Sequence, residues 1–180
     1  PDVPDFDVLG GHDMTVEEIF NAFSVADAVL GDYTFKNGIS PDLLEKAGSV
    51  KLIQQPSVGY QHIDIDACTA RGIRVANTPG ANTVSVAEHT IAWGLCMQRN
   101  LFSAHLSMKE GKCDQMSIRP SELSGKVWGL VGFGRIGMAV AERLKPFGLG
   151  RVVYNDIVRQ PEEKEREIGV DYLELSEVLR

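Results

Sequence analysis

Basic clusters, paired cysteine motifs and long apolar runs are all missing from this chain, and each absence removes a class of function. Eighteen Lys and Arg stand against 25 Asp and Glu, a net charge of −7, with no cluster of positive side chains of the kind that tracks a phosphate backbone. Nucleic acid is not an expected partner. Cys68, Cys96 and Cys113 form no CxxC and have no His-rich neighbour, so neither a disulfide framework nor a zinc site is indicated. No apolar stretch is long enough to span a bilayer, and no basic-then-apolar leader follows Pro1. With the unpaired thiols, these features give the expectation of a cytoplasmic protein with no membrane partner and no bound metal.

What is present is concentrated in Gly132-Phe133-Gly134-Arg135-Ile136-Gly137. The apolar run from Lys126 to Val131 before it has the length of a buried parallel strand, and Met138 to Phe147 after it repeats its apolar residues at helical spacing. The glycines therefore fall at a strand-to-helix turn. There Gly132 permits the tight turn, Gly134 offers a backbone that a pyrophosphate can approach, and Gly137 allows close packing of the helix. The helix N-terminus favours the phosphates. A second apolar strand, Arg151 to Asn155, follows the break at Gly148-Leu149-Gly150 and ends in Asp156, 19 residues past Gly137. A carboxylate there accepts hydrogen bonds from ribose hydroxyls and repels a 2′-phosphate. The expected cofactor is NAD rather than NADP, although nearby Arg159 works against a strict preference. The alternative is a structural turn with a surface Asp.

The rest of the chain alternates short helices and strands, an α/β pattern with a parallel sheet. Asp13 to Glu18 offers a helix start, Ala26 to Leu30 a strand, Pro41 to Ala47 a helix and Val50 to Gln54 a strand. Ile65 to Ala70 predicts a short helix and Ile73 to Ala76 a strand. Beyond Pro79-Gly80, apolar residues from Val84 to about Met108 predict one long helix. The charged segment Pro161 to Glu167 predicts an exposed helix whose charge is a solvated face, and Leu173 to Leu179 a further helix. No repeat or low-complexity tract interrupts this order. It contains only the first half of a doubly wound dinucleotide fold.

Three motifs in this order resemble the D-isomer-specific 2-hydroxyacid dehydrogenase family: Ser57 to Asp64 like its substrate loop, Asn77 to Glu88 like its interdomain signature, and Gly125-Lys126 leading into the glycine strand. The resemblance implies a flavodoxin-like substrate domain over residues 1–83 and the first half of a Rossmann NAD-binding domain over 84–180, with the active site of the family in the cleft between domains. It implies that backbone amides of Val58 and Gly59 hold a substrate carboxylate, the alternative being an ordinary strand-to-helix turn. Ala81 to His89 is especially similar to the formate dehydrogenase branch, where Asn82 would contact substrate and Thr83 would lie by the nicotinamide. A helix cap is the competing reading for both. Arg135 and Ile136 would lie at the pyrophosphate, the alternative for Arg135 being an exposed arginine in a turn.

The family's reaction is reversible hydride transfer between NAD(H) and a 2-hydroxy or 2-keto acid, and it implies a homodimer. Its Arg, Glu and His are expected beyond residue 180, so the chain reads as a fragment that should not turn over substrate alone. The histidines in hand do not fill the role. His62 and His89 lack a carboxylate partner at a suitable spacing, and His12 and His105 offer less. Two other functions stay open on the same scaffold: oxidation of formate or phosphite, and non-catalytic NAD(H) sensing like that of the C-terminal-binding corepressors.

Overall fold

A computed structural model describes residues 7–10, 14–32, 34, 36–113 and 116–180; His12 and Asp13 lie outside them. The chain divides into two compact units, Pro1–Ala81 and Asn82–Arg180. Each is built on a three-stranded sheet whose strands are all parallel. The fold class is thus α/β, each sheet being formed by strands joined through helical crossovers.

In the first unit α1 (Val16–Val25) is followed by β1 (Ala28–Leu30), α2 (Pro41–Glu45), β2 (Leu52–Gln54), α3 (Ile65–Ala70) and β3 (Arg74–Ala76), with strand order β1-β2-β3. Side chains set the helix starts. The Thr15 hydroxyl accepts from the Glu18 N–H while Glu18 reaches back to the Thr15 N–H; Ser40 caps α2, where Pro41 occupies the first turn, and Asp64 caps α3. Leu44, Ile53, Ile63 and Cys68 form the buried centre. Burial, with a smaller contribution from Asp64, pushes the Cys68 thiol above its ordinary range, which suits a packed residue.

In the second unit α4 (Thr83–Gln98) and α5 (Leu101–Lys109) precede β4 (Val127–Val131), α6 (Arg135–Leu144), a 3₁₀ turn at Lys145–Phe147, β5 (Arg151–Asn155), α7 (Glu162–Ile168), β6 (Asp171–Tyr172) and α8 (Leu175–Val178). The strand order is β4-β5-β6, with Val127 opposite Arg151 and Val131 opposite Asn155. Helix α4 packs on α6, and Phe133, Val140, Leu144 and Tyr154 are fully or almost fully buried between helices and sheet.

The structure corrects the sequence reading in three places here. The long helix expected from Val84 to about Met108 is two helices, beginning at Thr83 and broken at Arg99-Asn100. Asn100 is left-handed (φ 50°), a conformation that Asn tolerates, and its side-chain amide donates to the Arg119 carbonyl at 3.0 Å. Strand β6 was not expected; two residues long, it carries too little pattern to read. The charged helix is not a fully solvated face, because Glu165 and Ile168 on α7 are buried. Strand and helix ends otherwise differ by up to three residues, as when α6 begins at Arg135 rather than Met138 and Ala26 closes α1 instead of opening β1.

A Cβ added at Gly94 of α4 would overlap the Trp128 indole on β4, so this glycine sets how closely the helix approaches the sheet. Gly94→Ala should cost about 1–3 kcal/mol of stability by overpacking. Chemical denaturation measures it; unchanged stability contradicts the packing.

Candidate functional site: a glycine turn closed by a carboxylate

The three glycines of the turn answer to three different constraints. Gly132 sits at φ +93°, which glycine adopts without strain, and its N–H donates to the Asn155 carbonyl at 2.8 Å. At Gly137 a Cβ would strike the Gly132 carbonyl oxygen and approach the Phe133 ring, so the close contact is with the turn itself rather than with the body of the strand. At Gly134 a Cβ would meet no protein atom within 4 Å. The chain's own packing does not ask for glycine there, and the backbone is left bare toward solvent. Gly134 is also the N-cap of α6 and supplies no side-chain cap, so the first amides of the helix face that same opening. Arg135 and Ile136 are exposed beside it. The residues present therefore fit a pyrophosphate.

Phe133, between the glycines, holds the turn in place. It is fully buried and stacks on Tyr154 with ring centroids 4.1 Å apart, while its N–H donates to the Asp156 carboxylate. That hydrogen bond is the largest cause holding the Asp156 carboxyl below the usual carboxylate range. The other Asp156 oxygen accepts a long bond from the Val158 N–H, 3.5 Å. A carboxylate has about four acceptor sites, so capacity for two ribose hydroxyls remains. Gly132, Gly134, Gly137 and Asp156 are thus brought together around one turn.

Behind Asp156 lies a cluster that the sequence did not suggest. The buried Glu165 carboxylate accepts from the Tyr154 hydroxyl at 2.6 Å and takes both arms of the Arg159 guanidinium at 2.9 Å each. The Tyr154 oxygen in turn accepts from the Gln160 N–H at 2.9 Å. Arg159 first, and then Tyr154, pull the Glu165 carboxyl down to about 2. Burial, followed by the Glu165 bond, raises the Tyr154 phenol above its ordinary range.

In the first unit the loop Ser57-Val58-Gly59 has its carbonyls tied down. Asn77 donates to the Val58 carbonyl at 2.9 Å, the Thr78 N–H to Ser57 at 3.1 Å, and the Ser57 hydroxyl to Gly59 at 3.0 Å. The buried Gln55 side chain donates to the Ser57 oxygen at 2.6 Å. Among the described residues neither the Val58 nor the Gly59 N–H donates a hydrogen bond. With the carbonyls bonded, the two amides remain as donors without a partner among the described residues. Gln55 and Ser57, its supports, were not singled out from sequence; nothing in a single polar pair marks it as buried.

Asn82 occupies the N-cap position of α4, yet its side chain makes no capping bond, and Thr83 is already helical. The capping alternative therefore does not account for the Asn82 amide. His89 accepts from the Trp93 indole one turn away on an exposed helix face, and His105 is exposed on α5. Among the described residues, no group of three His, Cys, Asp or Glu could hold a metal, and no helix is long and apolar enough to cross a membrane.

Residues 2–171 match the model of the D-isomer specific 2-hydroxyacid dehydrogenase catalytic domain. The chain belongs to this family. A D-3-phosphoglycerate dehydrogenase of Methanocaldococcus jannaschii is 35% identical over 89% of the chain and 30% of its own length. Among solved structures, a Granulicella formate dehydrogenase is 32% identical with a TM-score of 0.80, the match covering 90% of this chain and 43% of that one. The D-lactate dehydrogenase of Aquifex aeolicus, complexed with NAD and lactic acid, is 34% identical with a TM-score of 0.77 over 89% of this chain and 47% of that one. The chain thus spans about a third to a half of the length of these relatives.

Because Glu165 titrates far lower in the folded protein than an unfolded Glu near 4.5, its contribution to stability is whole above that value and drains away as pH falls toward about 2. Glu165→Gln should lower the melting temperature at neutral pH and flatten its decline between these limits. Thermal unfolding across pH checks it; parallel curves for both proteins contradict the pairing.

Proposed function

We propose that the intact protein is an NAD-dependent oxidoreductase that transfers a hydride between NAD(H) and a small 2-hydroxy or 2-keto acid. The observation that carries the reading is the bare backbone at Gly134, in front of a carboxylate bonded to the same turn. Membership of the family supports the acid as substrate. Residues 1–83 then serve as the substrate domain and 84–180 as the first half of the NAD domain.

In this reading the Val58 and Gly59 amides hold the substrate carboxylate, and Gln55, Ser57 and Asn77 keep those amides aimed. Asn82 contacts substrate, and Thr83 lies by the nicotinamide. The amides of Arg135 and Ile136 and the Arg135 charge meet the pyrophosphate, with Gly132, Gly134 and Gly137 shaping the turn. Asp156 accepts from the adenosine ribose. When bound, NAD(H) supplies or accepts the hydride. Polarising the substrate carbonyl then falls to the family's Arg, and proton transfer at its oxygen to the family's His, tuned by a Glu; none of the three is assigned to a residue of this chain.

Assay of the intact protein with NADH and a panel of 2-keto acids, and with NAD+ plus formate or phosphite, tests the assignment. Reduction of a 2-keto acid is expected. Ser57→Ala, which releases the loop carbonyl, should lower kcat/KM for it by about tenfold, roughly one hydrogen bond. The likeness to a formate dehydrogenase structure favours one second reading, oxidation of formate; turnover of formate alone would select it. Binding of NADH without any turnover would select a sensor.

We also propose a cytoplasmic homodimer, for which the surface of α4 and α5 gives support. Helix α5 buries no residue, and Trp93, Met97, Phe102 and Leu106 are all about half exposed or more. The Trp93 and Phe102 rings lie 5.3 Å apart across the break, so the exposed apolar side chains of the two helices adjoin, as at an interaction surface. Light scattering should give a dimer that Phe102→Glu with Leu106→Glu converts to monomer; a monomeric parent protein contradicts this.

A further inference from the structure

An arginine three residues after the ribose carboxylate ought to spoil the preference for NAD, because a guanidinium matches a 2′-phosphate in charge and geometry. Three residues span at most about 10 Å, so a mobile Arg159 side chain can reach a phosphate bound beside Asp156. The residues between offer no barrier: Ile157 and Val158 are both exposed. The structure commits this arginine elsewhere. Both arms of its guanidinium are taken by Glu165, and its centre lies 5.3 Å from the Tyr172 ring centroid.

We propose that Glu165 is a specificity-determining positioning residue, which holds Arg159 off the adenosine ribose so that Asp156 alone faces the 2′ position. The inference rests on the reading of the glycine turn as the NAD site.

The geometry separates this pair from an ordinary surface ion pair, which adds little and exchanges freely with water. The Arg159 side chain is 52% exposed, but that of Glu165 only 8%. The carboxylate cannot swing out to solvent and let its partner go. Its third bond, to the Tyr154 hydroxyl, fixes its orientation, and the same hydroxyl accepts the Gln160 N–H, so the loop backbone next to Arg159 is anchored with it. Glu162 on the same helix adds a second negative charge toward the guanidinium. Positive charge three residues from the ribose is thereby both paired and pointed at α7. A 2′-phosphate arriving at the turn then meets the Asp156 charge without an offsetting cation.

A purely structural clamp would stabilise the loop without altering cofactor choice, and binding measurements distinguish the two. Calorimetric titration with NAD+ and NADP+ is made on the intact parent protein, on Asp156→Ser, on Asp156→Ser with Glu165→Gln, and on each of these two variants with Arg159→Leu added. NAD+ affinity in each variant shows that the turn is folded. Asp156→Ser is expected to bind NADP+ about tenfold tighter than the parent, and adding Glu165→Gln to gain a further tenfold or so through a freed charge-assisted contact, a gain that Arg159→Leu removes. In the single Asp156→Ser background, where Glu165 still holds its partner, Arg159→Leu should change NADP+ affinity by less than about twofold. Equal NADP+ affinity with and without Glu165→Gln overturns the proposal. So does a large loss on Arg159→Leu while Glu165 is intact. If Asp156→Ser itself leaves the balance between NAD+ and NADP+ unmoved, the site reading fails instead of the clamp.

Discussion

The hydrogen bond from the Phe133 amide to the Asp156 carboxylate is the constraint on which the rest of the second unit depends. It joins the end of β5 to the turn after β4, at the point where the sheet hands over to α6. Each partner is held in place from its own side. Phe133 is fixed because its ring is buried on Tyr154, and Asp156 because β5 is hydrogen-bonded to strands on both sides. The result is an open strip of backbone at Gly134, framed by a fixed acid on one side and uncapped helix amides on the other. Such a frame suits a ligand with phosphates at one end and a diol at the other.

The same logic runs backward into the core. Tyr154 is both the floor under Phe133 and the hydroxyl that orients Glu165, so packing and polar satisfaction meet in one side chain. A buried carboxylate without partners would be costly, and here one partner, Tyr154, belongs to β5 and the other, Arg159, to the loop that flanks the ribose position. In the first unit the supporting side chain is neutral, and among the described residues it is the Gln55 amide nitrogen alone that is bonded. Gln55, buried under its loop, fixes Ser57, and the bonds to the loop carbonyls leave two amides facing outward.

Much of this was legible in the sequence, and the reasons differ by residue. The β4-turn-α6-β5 unit could be read because strand, glycines, helix and acid each follow from a local rule, and the acid's distance from the last glycine tests them together. Helix α3 and strand β5 also fell where apolar spacing placed them. The break at Asn100 could not be read from spacing, since the apolar rhythm continues on both sides and only a side-chain bond to Arg119 reveals the kink. From sequence Glu165 reads as solvated because it stands among five other charged residues of α7. Its burial is decided by Tyr154 and Arg159, which approach from β5 and the loop after it. Local composition carries no trace of such a partner. The Val58-Gly59 loop was reachable only by likeness to a family, since open amides become visible once the carbonyls around them are accounted for.

The central claim is that an adenine dinucleotide lies across the glycine turn with its ribose on Asp156. A crystal structure of the intact protein with NAD tests it most directly. The account predicts the pyrophosphate over Gly134 at the start of α6, and both adenosine ribose hydroxyls donating to the Asp156 carboxylate. A dinucleotide bound elsewhere, with the turn bare and Asp156 bonded only to its own backbone neighbours, would contradict it.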